Sequence, residues 1–165
     1  MHYLTVSFSH KNSDIAAREK LAFTETSKEE ALATLTCEET KISEAIIVST
    51  CNRVEILAST NDTAKASTEI FEMLSRHSGL SIEELEGRAD VFENEGAVHH
   101  LFAVTSSLDS VVIGETQIAG QIKDAFRFAK YASLADTNTK ETLATGAEVL
   151  AALQTATSAM DNDEV

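Results

Sequence analysis

Cysteine is scarce in this sequence, and proline and tryptophan are absent. The two cysteines, Cys37 and Cys51, are too few for a disulfide framework, and neither has another Cys or a His nearby at the spacing of metal ligands. His99 and His100 are adjacent, and neighbouring residues on a helix do not share a face. We therefore expect no metal site.

Long hydrophobic runs are also lacking. The longest strongly apolar run, Ala45 to Val48, is far too short to cross a membrane. The residues after Met1 show no basic region followed by an apolar stretch, so no signal peptide is expected. The sequence predicts a cytoplasmic protein without membrane contact, and its 165 residues suit one domain or one domain with an appendage.

Positive charge is in short supply, because 13 Lys and Arg residues stand against 27 Asp and Glu residues and the net charge is −14. Such a surface repels a polyanion, which argues against a protein whose main task is to coat nucleic acid. A local basic patch is still compatible with this charge. Lys123, Arg127 and Lys130 form a basic stripe that either meets phosphates or, as is commoner, is a solvated helix face.

The spacing of apolar residues predicts four strands and several helices. Leu4, Val6 and Phe8 alternate with other residues, which is typical of a half-buried strand. The predicted elements, in chain order, are a strand at 2–8, helices at about 14–23 and 27–36, strands at 44–50 and 53–59, a helix at 62–77, a helical turn from 81, a strand at 89–93, and helices at 95–107 and 115–131.

The order β-α-β-β-α-β predicts an α+β fold, a ferredoxin-like sandwich with an antiparallel sheet that is followed by additional helices. Residues 132–165 are rich in Ala and Thr and end in acidic residues, and we interpret them as a helical connector or tail. Four signals mark the helix ends. They are Ser13-Asp14 before the first helix, Ser27 with Glu30 as a capping box for the second, Gly79 after the long helix, and Asn94 before the helix that carries the histidines.

Cys51 is the first candidate for chemistry. Only Cys51 and Asn52 separate two predicted strands, which is the length of a tight hairpin loop, and Asn52 tolerates the positive φ that such loops require. A bulky substrate can reach a cysteine at a hairpin tip, and Arg53 is close enough to favour a thiolate or to hold an anionic group of the substrate. On the pattern alone, a small hydrophobic residue in a turn is the commoner interpretation. Cys37 follows a helix and has Glu38 and Glu39 beside it, so a structural or incidental role is expected there.

Two helices offer further candidates. His100 lies on the flank of the apolar face of its helix, where it is either a general acid or base or a core-edge histidine satisfied by a backbone group. His99 points nearly away from that face. Gln117 and Gln121 are four residues apart, so their amides line one flank of the next helix and could hold a polar substrate.

Three segments resemble the glutamyl-tRNA reductase family, and the resemblance covers about residues 1–131. They read REKLAF at 18–23, STCNRVEI at 49–56 and LDSVVIGETQIAGQIK at 108–123. The resemblance implies that the thiolate of Cys51 attacks the ester joining glutamate to its tRNA and forms a thioester. NADPH then reduces the thioester to glutamate-1-semialdehyde for tetrapyrrole (porphyrin and heme) synthesis.

The resemblance also implies a set of site residues. Cys51 is the nucleophile, His100 is linked to activity, and Arg53 is the natural partner of the glutamate carboxylate. The positions that contact substrate in the family fall on Thr50, Asn52, Arg53, Ser110, Glu115, Thr116, Gln117 and Gln121. Many members carry proline where this chain has Thr116, a change that a helix start tolerates.

Cofactor and partner expectations follow from the same resemblance. No G-x-G-x-x-G phosphate loop occurs in the sequence, so the NADPH-binding and dimerisation domains of the family are expected to lie outside these residues. The expected partner is glutamyl-tRNA, and the family enzyme is expected to be a homodimer. Two other functions remain open: a ligand- or protein-binding module derived from this domain, and a thiol redox protein. The redox protein is the least favoured, because no resolving cysteine lies near Cys51.

Overall fold

A computed structural model describes residues 1–106, 108–109 and 117–133, with side chains up to residue 129. Its first part is an α+β layer built on a four-stranded antiparallel sheet with the strand order β2-β3-β1-β4. The strands are β1 (His2–Ser9), β2 (Ile42–Ser49), β3 (Arg53–Thr60) and β4 (Asp90–Glu93). The helices are α1 (Ile15–Leu21), α2 (Glu25–Leu35), α3 (Thr63–Ser78), α4 (Ile82–Glu86), α5 (Glu95–Thr105) and α6 (Gln117–Ser133). The α+β class, the antiparallel sheet and the four strands are thus confirmed.

The two central strands, β1 and β3, are buried on both faces. One face is apolar, as predicted, and its pairs include Val6 opposite Ile56 and Phe8 opposite Val54. The opposite face is polar but also buried, and its members are Thr5, Ser7, Ser9, Arg53, Glu55 and Ser59. The prediction that β1 is half-buried is therefore wrong. Alternation indicates which face is apolar, but it cannot indicate that the polar face is buried as well.

Helices α1, α3 and α4 begin where the sequence predicts, and α3 also ends at the predicted glycine. The Asp14 side chain accepts the N–H of Ala17, and α3 stops at Gly79, whose φ of 73° is the left-handed conformation that glycine adopts without strain. Ser81 and Glu84 form a reciprocal capping box at the start of α4.

Two predicted caps are wrong. The capping box of α2 is formed by Thr24 and Ser27 instead of Ser27 and Glu30, so this helix starts earlier than expected. Asn94 has a φ of 49°, and its Oδ1 lies 3.1 Å from His2 Nδ1 and 3.4 Å from the Tyr3 backbone nitrogen. Its side chain therefore ties β1 to the start of α5 and does not cap α5.

The chain divides into two compact units, Met1–His100 and Leu101–Val165. In the second unit, α6 buries Ile118, Ile122 and Ala125 on one face, as the helical spacing predicts. The predicted connector or tail at 132–165 lies outside the described residues from position 134 onward. In the described ranges, none of the helices combines the length and the apolar character needed to span a bilayer.

Candidate functional site

The hairpin between β2 and β3 presents Cys51 and Asn52 to solvent. The N–H of Thr50 donates to the carbonyl of Arg53 at 2.9 Å, which closes the loop. The hydroxyl of Thr50 accepts the N–H groups of Asn52 and Arg53, each at 3.2 Å. Both residues at the tip are exposed, and the Cys51 thiol is free. The expectation of a hairpin with an accessible cysteine is confirmed.

The backbone of this hairpin differs from the prediction in one respect. Among the described non-glycine residues, a positive φ occurs at Asn94 and nowhere else, so Asn52 does not adopt one. The Thr50 hydroxyl explains the difference. Because this side chain accepts the loop N–H groups, the loop does not need a primed turn with its positive φ.

The turn that follows β1 supports the hairpin from the side. The N–H of His10 donates to the carbonyl of Asn52 at 3.1 Å, which extends the β1–β3 ladder beyond the Ser9–Arg53 pair. Within that turn, the side chain of Asn12 accepts the N–H of Ser9 at 2.7 Å and donates to Asp90 at 2.9 Å. The cysteine is therefore carried on a loop held from both neighbouring strands.

Arg53 lies on the buried polar face of the sheet and forms an ion pair there. Its Nη1 donates to Glu55 Oε1 at 2.8 Å, and the two side chains are 3% and 7% exposed. The hydroxyl of Ser7 donates to the same oxygen at 2.9 Å. Ser7 is the residue directly opposite Glu55 in the β1–β3 register. Three polar groups from two strands thus meet where water is largely excluded.

His100 reaches the same cluster from α5. Its Nε2 lies 3.0 Å from Glu55 Oε2, and its ring stacks on Phe92 with centroids 4.2 Å apart and an interplanar angle of 14°. The predicted boundary position is confirmed, since the His100 side chain is 11% exposed and His99 is exposed. The alternative of a histidine satisfied by a backbone group is not what is found, because the observed partner is a buried carboxylate.

Glu55, like Ser7, is a member of this cluster that the sequence analysis missed. It stands two residues after Arg53, and residues i and i+2 of a strand share a face. That spacing, in a strand buried on both faces, was the signal that could have identified Glu55 as a partner of Arg53. The link to Ser7 and His100 needs the β1–β3 register and the position of α5, neither of which a single strand pattern contains.

The other predicted site residues fall in the second unit or outside the described residues. Gln117 and Gln121 are both exposed on α6, one turn apart. In the basic stripe, Lys123 is half-buried and Arg127 lies 3.6 Å from Asp124. Ser110, Glu115, Thr116 and the side chain of Lys130 lie outside the description. Of the predicted residues, Thr50, Cys51, Asn52 and Arg53 share one hairpin, and Arg53 and His100 meet through Glu55.

The described residues match the requirements of neither a metal site nor a dinucleotide site. They contain no cluster of three or more His, Cys, Asp or Glu side chains that could hold a metal ion. A dinucleotide phosphate is typically cradled by a glycine-rich turn between a strand and a helix. The turns β1–α1, β3–α3 and β4–α5 contain no glycine, so these described turns do not fit NADPH.

Cys37 lies in an acidic setting, as the sequence suggested. Its thiol donates to the carbonyl of Thr34 at 3.3 Å. The pKa of Glu39 is lowered by a hydrogen bond from its own backbone N–H and, to a smaller extent, by the Cys37 thiol. The Cys37 thiol is therefore engaged by its own segment of the chain, through the Thr34 carbonyl and Glu39.

Three comparisons with known proteins all lead to the same family. A sequence model of the family "Glutamyl-tRNAGlu reductase, N-terminal domain" matches residues 6–157. The glutamyl-tRNA reductases of Sulfurimonas denitrificans and Nitratiruptor sp. are each 56% identical to the chain over 129 residues, which is 78% of this chain and 30% of each relative. The solved structure of glutamyl-tRNA reductase from Methanopyrus kandleri aligns with a TM-score of 0.60 at 28% identity, covering 79% of this chain and 29% of that one. The chain thus spans about a third or less of the proteins it matches.

Proposed function

From the premise that this chain belongs to the glutamyl-tRNA reductase N-terminal domain family, we propose that it carries out the acyl-transfer half of that reaction. Glutamate moves from its ester with tRNA to the thiol of Cys51. The observation that carries the proposal is the exposed, free thiol of Cys51 on a loop held by β1, β2 and β3. A nucleophile for a macromolecular ester must be both accessible and fixed in position.

The thiolate of Cys51 attacks the carbonyl carbon of the glutamyl ester, the C–O bond to the tRNA ribose breaks, and the ribose oxygen leaves with a proton. The products are a glutamyl thioester on Cys51 and deacylated tRNA. Reduction of that thioester by NADPH belongs to parts of the whole enzyme outside the described residues, because the turns described here provide no dinucleotide cradle.

Arg53 and His100 are proposed to act on the glutamyl group. A guanidinium is planar and always charged, and it pairs with carboxylates in a fixed geometry, which makes Arg53 the partner for the side-chain carboxylate of glutamate. His100 lies in the same cluster through Glu55 and is proposed to orient the substrate or to protonate the departing oxygen. The remaining proposed substrate contacts are Thr50, Asn52, Ser110, Glu115, Thr116, Gln117 and Gln121.

The fold is proposed to be a ferredoxin-like sandwich. The strand order β2-β3-β1-β4, with helices between β1 and β2 and between β3 and β4, supports a ferredoxin-like assignment. We place the catalytic domain at residues 1–131 and a connector or tail at 132–165. The whole enzyme is proposed to act in the cytoplasm as a homodimer in tetrapyrrole synthesis.

The test is to mix the purified chain with glutamyl-tRNA in the absence of NADPH, quench in acid, and analyse intact protein and peptides by mass spectrometry. The expected result is a glutamyl adduct on the peptide containing Cys51, absent from Cys51→Ala and retained in Cys37→Ala. Slow hydrolysis of the thioester should also accelerate deacylation of glutamyl-tRNA. A folded chain that forms no adduct and leaves deacylation unchanged would favour the binding module over the enzyme.

A further inference from the structure

The two oxygens of Glu55 bind different elements of the site. Oε1 accepts hydrogen bonds from Ser7 Oγ on β1 and from Arg53 Nη1 on β3. Oε2 lies 3.0 Å from Nε2 of His100 on α5. The carboxylate is 7% exposed, and it joins the two residues proposed to handle the glutamyl group.

We infer that Glu55 is a positioning residue, which fixes the Arg53 guanidinium and the His100 ring in the arrangement that selects a glutamyl group over uncharged acyl groups. This inference rests on the proposed function. A guanidinium has five N–H donors in one plane, a geometry that pairs with carboxylates, and Glu55 fixes the orientation of that plane in Arg53. Loss of the Glu55 contact would loosen the long Arg53 side chain, and the entropy of ordering it again opposes substrate binding.

Glu55 acts through its neighbours, because direct contact with the substrate would be repulsive. Both of its oxygens are already bound inside the protein, and its negative charge opposes the approach of the glutamate carboxylate. The positive charge that selects the substrate is therefore that of Arg53, and Glu55 determines its position.

The surrounding structure holds this carboxylate in one place. Glu55 lies in β3, which has β1 on one side and β2 on the other, and its backbone is paired with Ser7 and Val48. The ring of His100 is held from a second direction by the stacked ring of Phe92. Phe92 itself is paired with Thr5 in the β1–β4 ladder, so the orientation of the His100 ring depends on contacts from β3 and β4 together.

Glu55→Gln is the direct test, because it keeps the shape of the side chain and removes the charge. The measurement is single-turnover acylation of Cys51 in the 165-residue chain by glutamyl-tRNA and, separately, by glutaminyl-tRNA, with adducts counted by mass spectrometry. Glutaminyl-tRNA carries the same ester and no side-chain charge. We expect acylation by subsaturating glutamyl-tRNA to fall about tenfold or more, the effect of one charge-assisted hydrogen bond. Acylation by glutaminyl-tRNA should stay close to wild type.

Two further variants separate positioning from a general loss of structure. Ser7→Ala removes one donor to Glu55 and keeps the charge, so discrimination should shift in the same direction by a smaller factor. Glu44→Gln changes a half-buried carboxylate on the neighbouring strand β2 and should leave discrimination as in wild type. Alkylation of Cys51 by iodoacetamide should proceed at the wild-type rate in all three variants.

Each outcome supports or overturns the inference. A selective loss with glutamyl-tRNA supports it. An equal loss with both substrates shows a merely structural role and overturns it, as does unchanged discrimination. If the wild-type chain is acylated by neither substrate while its thiol reacts with iodoacetamide, the proposed function fails, and the inference that rests on it fails with it.

Discussion

Arg53 and Glu55 are charged side chains enclosed by protein, and this makes the pair sensitive to the removal of one member. The two side chains are 3% and 7% exposed at 2.8 Å. If Arg53 is removed, Glu55 keeps its contacts with Ser7 and His100 but loses the guanidinium that compensates its lost hydration. The pair is therefore a structural requirement of this sheet as well as a candidate part of the site.

Replacement of Arg53 by Met should lower the free energy of unfolding by about 3–5 kcal/mol, the range for a buried pair broken on one side. Urea unfolding followed by circular dichroism measures the change. The double variant Arg53→Met, Glu55→Leu removes both charges and should recover a substantial part of the loss. A single variant as stable as wild type would contradict the account of a buried, mutually dependent pair.

Thr50 illustrates how one hydroxyl shapes the loop that carries Cys51. It accepts two backbone N–H groups, so Thr50→Val, which removes the acceptor and keeps the branched shape, should destabilise the chain by about 1 kcal/mol. Thr50→Ser keeps the acceptor and is the matched control. Equal urea midpoints for the two variants would show that the hydroxyl does not stabilise the turn.

At this scale, the sequence predicted the accessible cysteine and the half-buried histidine but not the residue that joins Arg53 to His100. Cys51 is set by local features, two strands and a two-residue gap. The contacts of Glu55 depend on register across β1 and β3 and on where α5 lies, and these are properties of the folded chain. The positive φ predicted for Asn52 is wrong, because the Thr50 side chain accepts the N–H groups of the loop and no primed turn is formed.

At the scale of elements, helix ends show how far local sequence decides structure. Two overlapping patterns at the start of α2, Thr24-x-x-Ser27 and Ser27-x-x-Glu30, both fit a capping box. The structure uses the first, with Thr24 in an extended conformation. Local pattern alone cannot choose between them. Asn94 fails as a cap for a different reason, since its side chain is taken up by β1.

Gly79 and Gly120 differ in backbone conformation, so replacing each by alanine tests that difference. An added Cβ meets nothing within 4 Å at either position, so steric clash is not at issue. Gly79→Ala forces a left-handed φ on alanine and should cost about 1–2 kcal/mol. Gly120→Ala lies inside α6 and should stabilise that helix by roughly 0.5–1 kcal/mol. Thermal unfolding followed by circular dichroism should move in opposite directions for the two variants. Shifts of the same sign would contradict the assignment of backbone conformation.

The cap of α1 should make stability depend on pH with a definite sign. The pKa of Asp14 is held below its ordinary value first by the N–H of Ala17 and then by Arg88. A carboxyl whose folded pKa is lowered stabilises the fold above its unfolded pKa, and this contribution is lost as the pH falls through the folded pKa. Asp14→Asn should therefore lower the melting temperature at neutral pH, and the difference should vanish in acid.

Glu84 provides an independent check of that sign. Its pKa is lowered first by the backbone N–H of Ser81 and then by the Ser81 hydroxyl, so Glu84→Gln should show the same loss at neutral pH and the same convergence in acid. A difference from wild type that grew toward low pH would contradict both assignments.

At the scale of the whole chain, the net charge of −14 limits how a tRNA could be bound. Proteins that bind nucleic acid through phosphates depend on many cations and lose affinity steeply as salt rises. In this chain, recognition is expected to come chiefly from the acyl end, through Arg53 and the surrounding cluster.

Much of the fold was predicted at this scale, because the order of strands and helices follows from hydrophobic periodicity. The coverage of the polar sheet face was not predicted.

Deacylated tRNA should therefore compete poorly with glutamyl-tRNA for acylation of Cys51. The rate with glutamyl-tRNA should also fall only gradually between low and moderate salt. Competition kinetics at two ionic strengths test this. Strong inhibition by deacylated tRNA, with a steep salt dependence, would instead point to a phosphate-binding surface such as the stripe of Lys123 and Arg127 on α6.

The strand order determines which strands of this sheet lose their hydrogen bonds to solvent most often. β3 is hydrogen-bonded on both sides, so its amide protons become available to solvent only when two ladders separate, whereas the four-residue edge strand β4 can detach from β1 alone. Amide hydrogen exchange in β3 should accordingly track global unfolding, with β4 exchanging earlier through local opening. The strand that carries Arg53 and Glu55 thus belongs to the slowest-opening part of the sheet, while the histidine bound to Glu55 stacks on Phe92 of a strand that can detach much sooner.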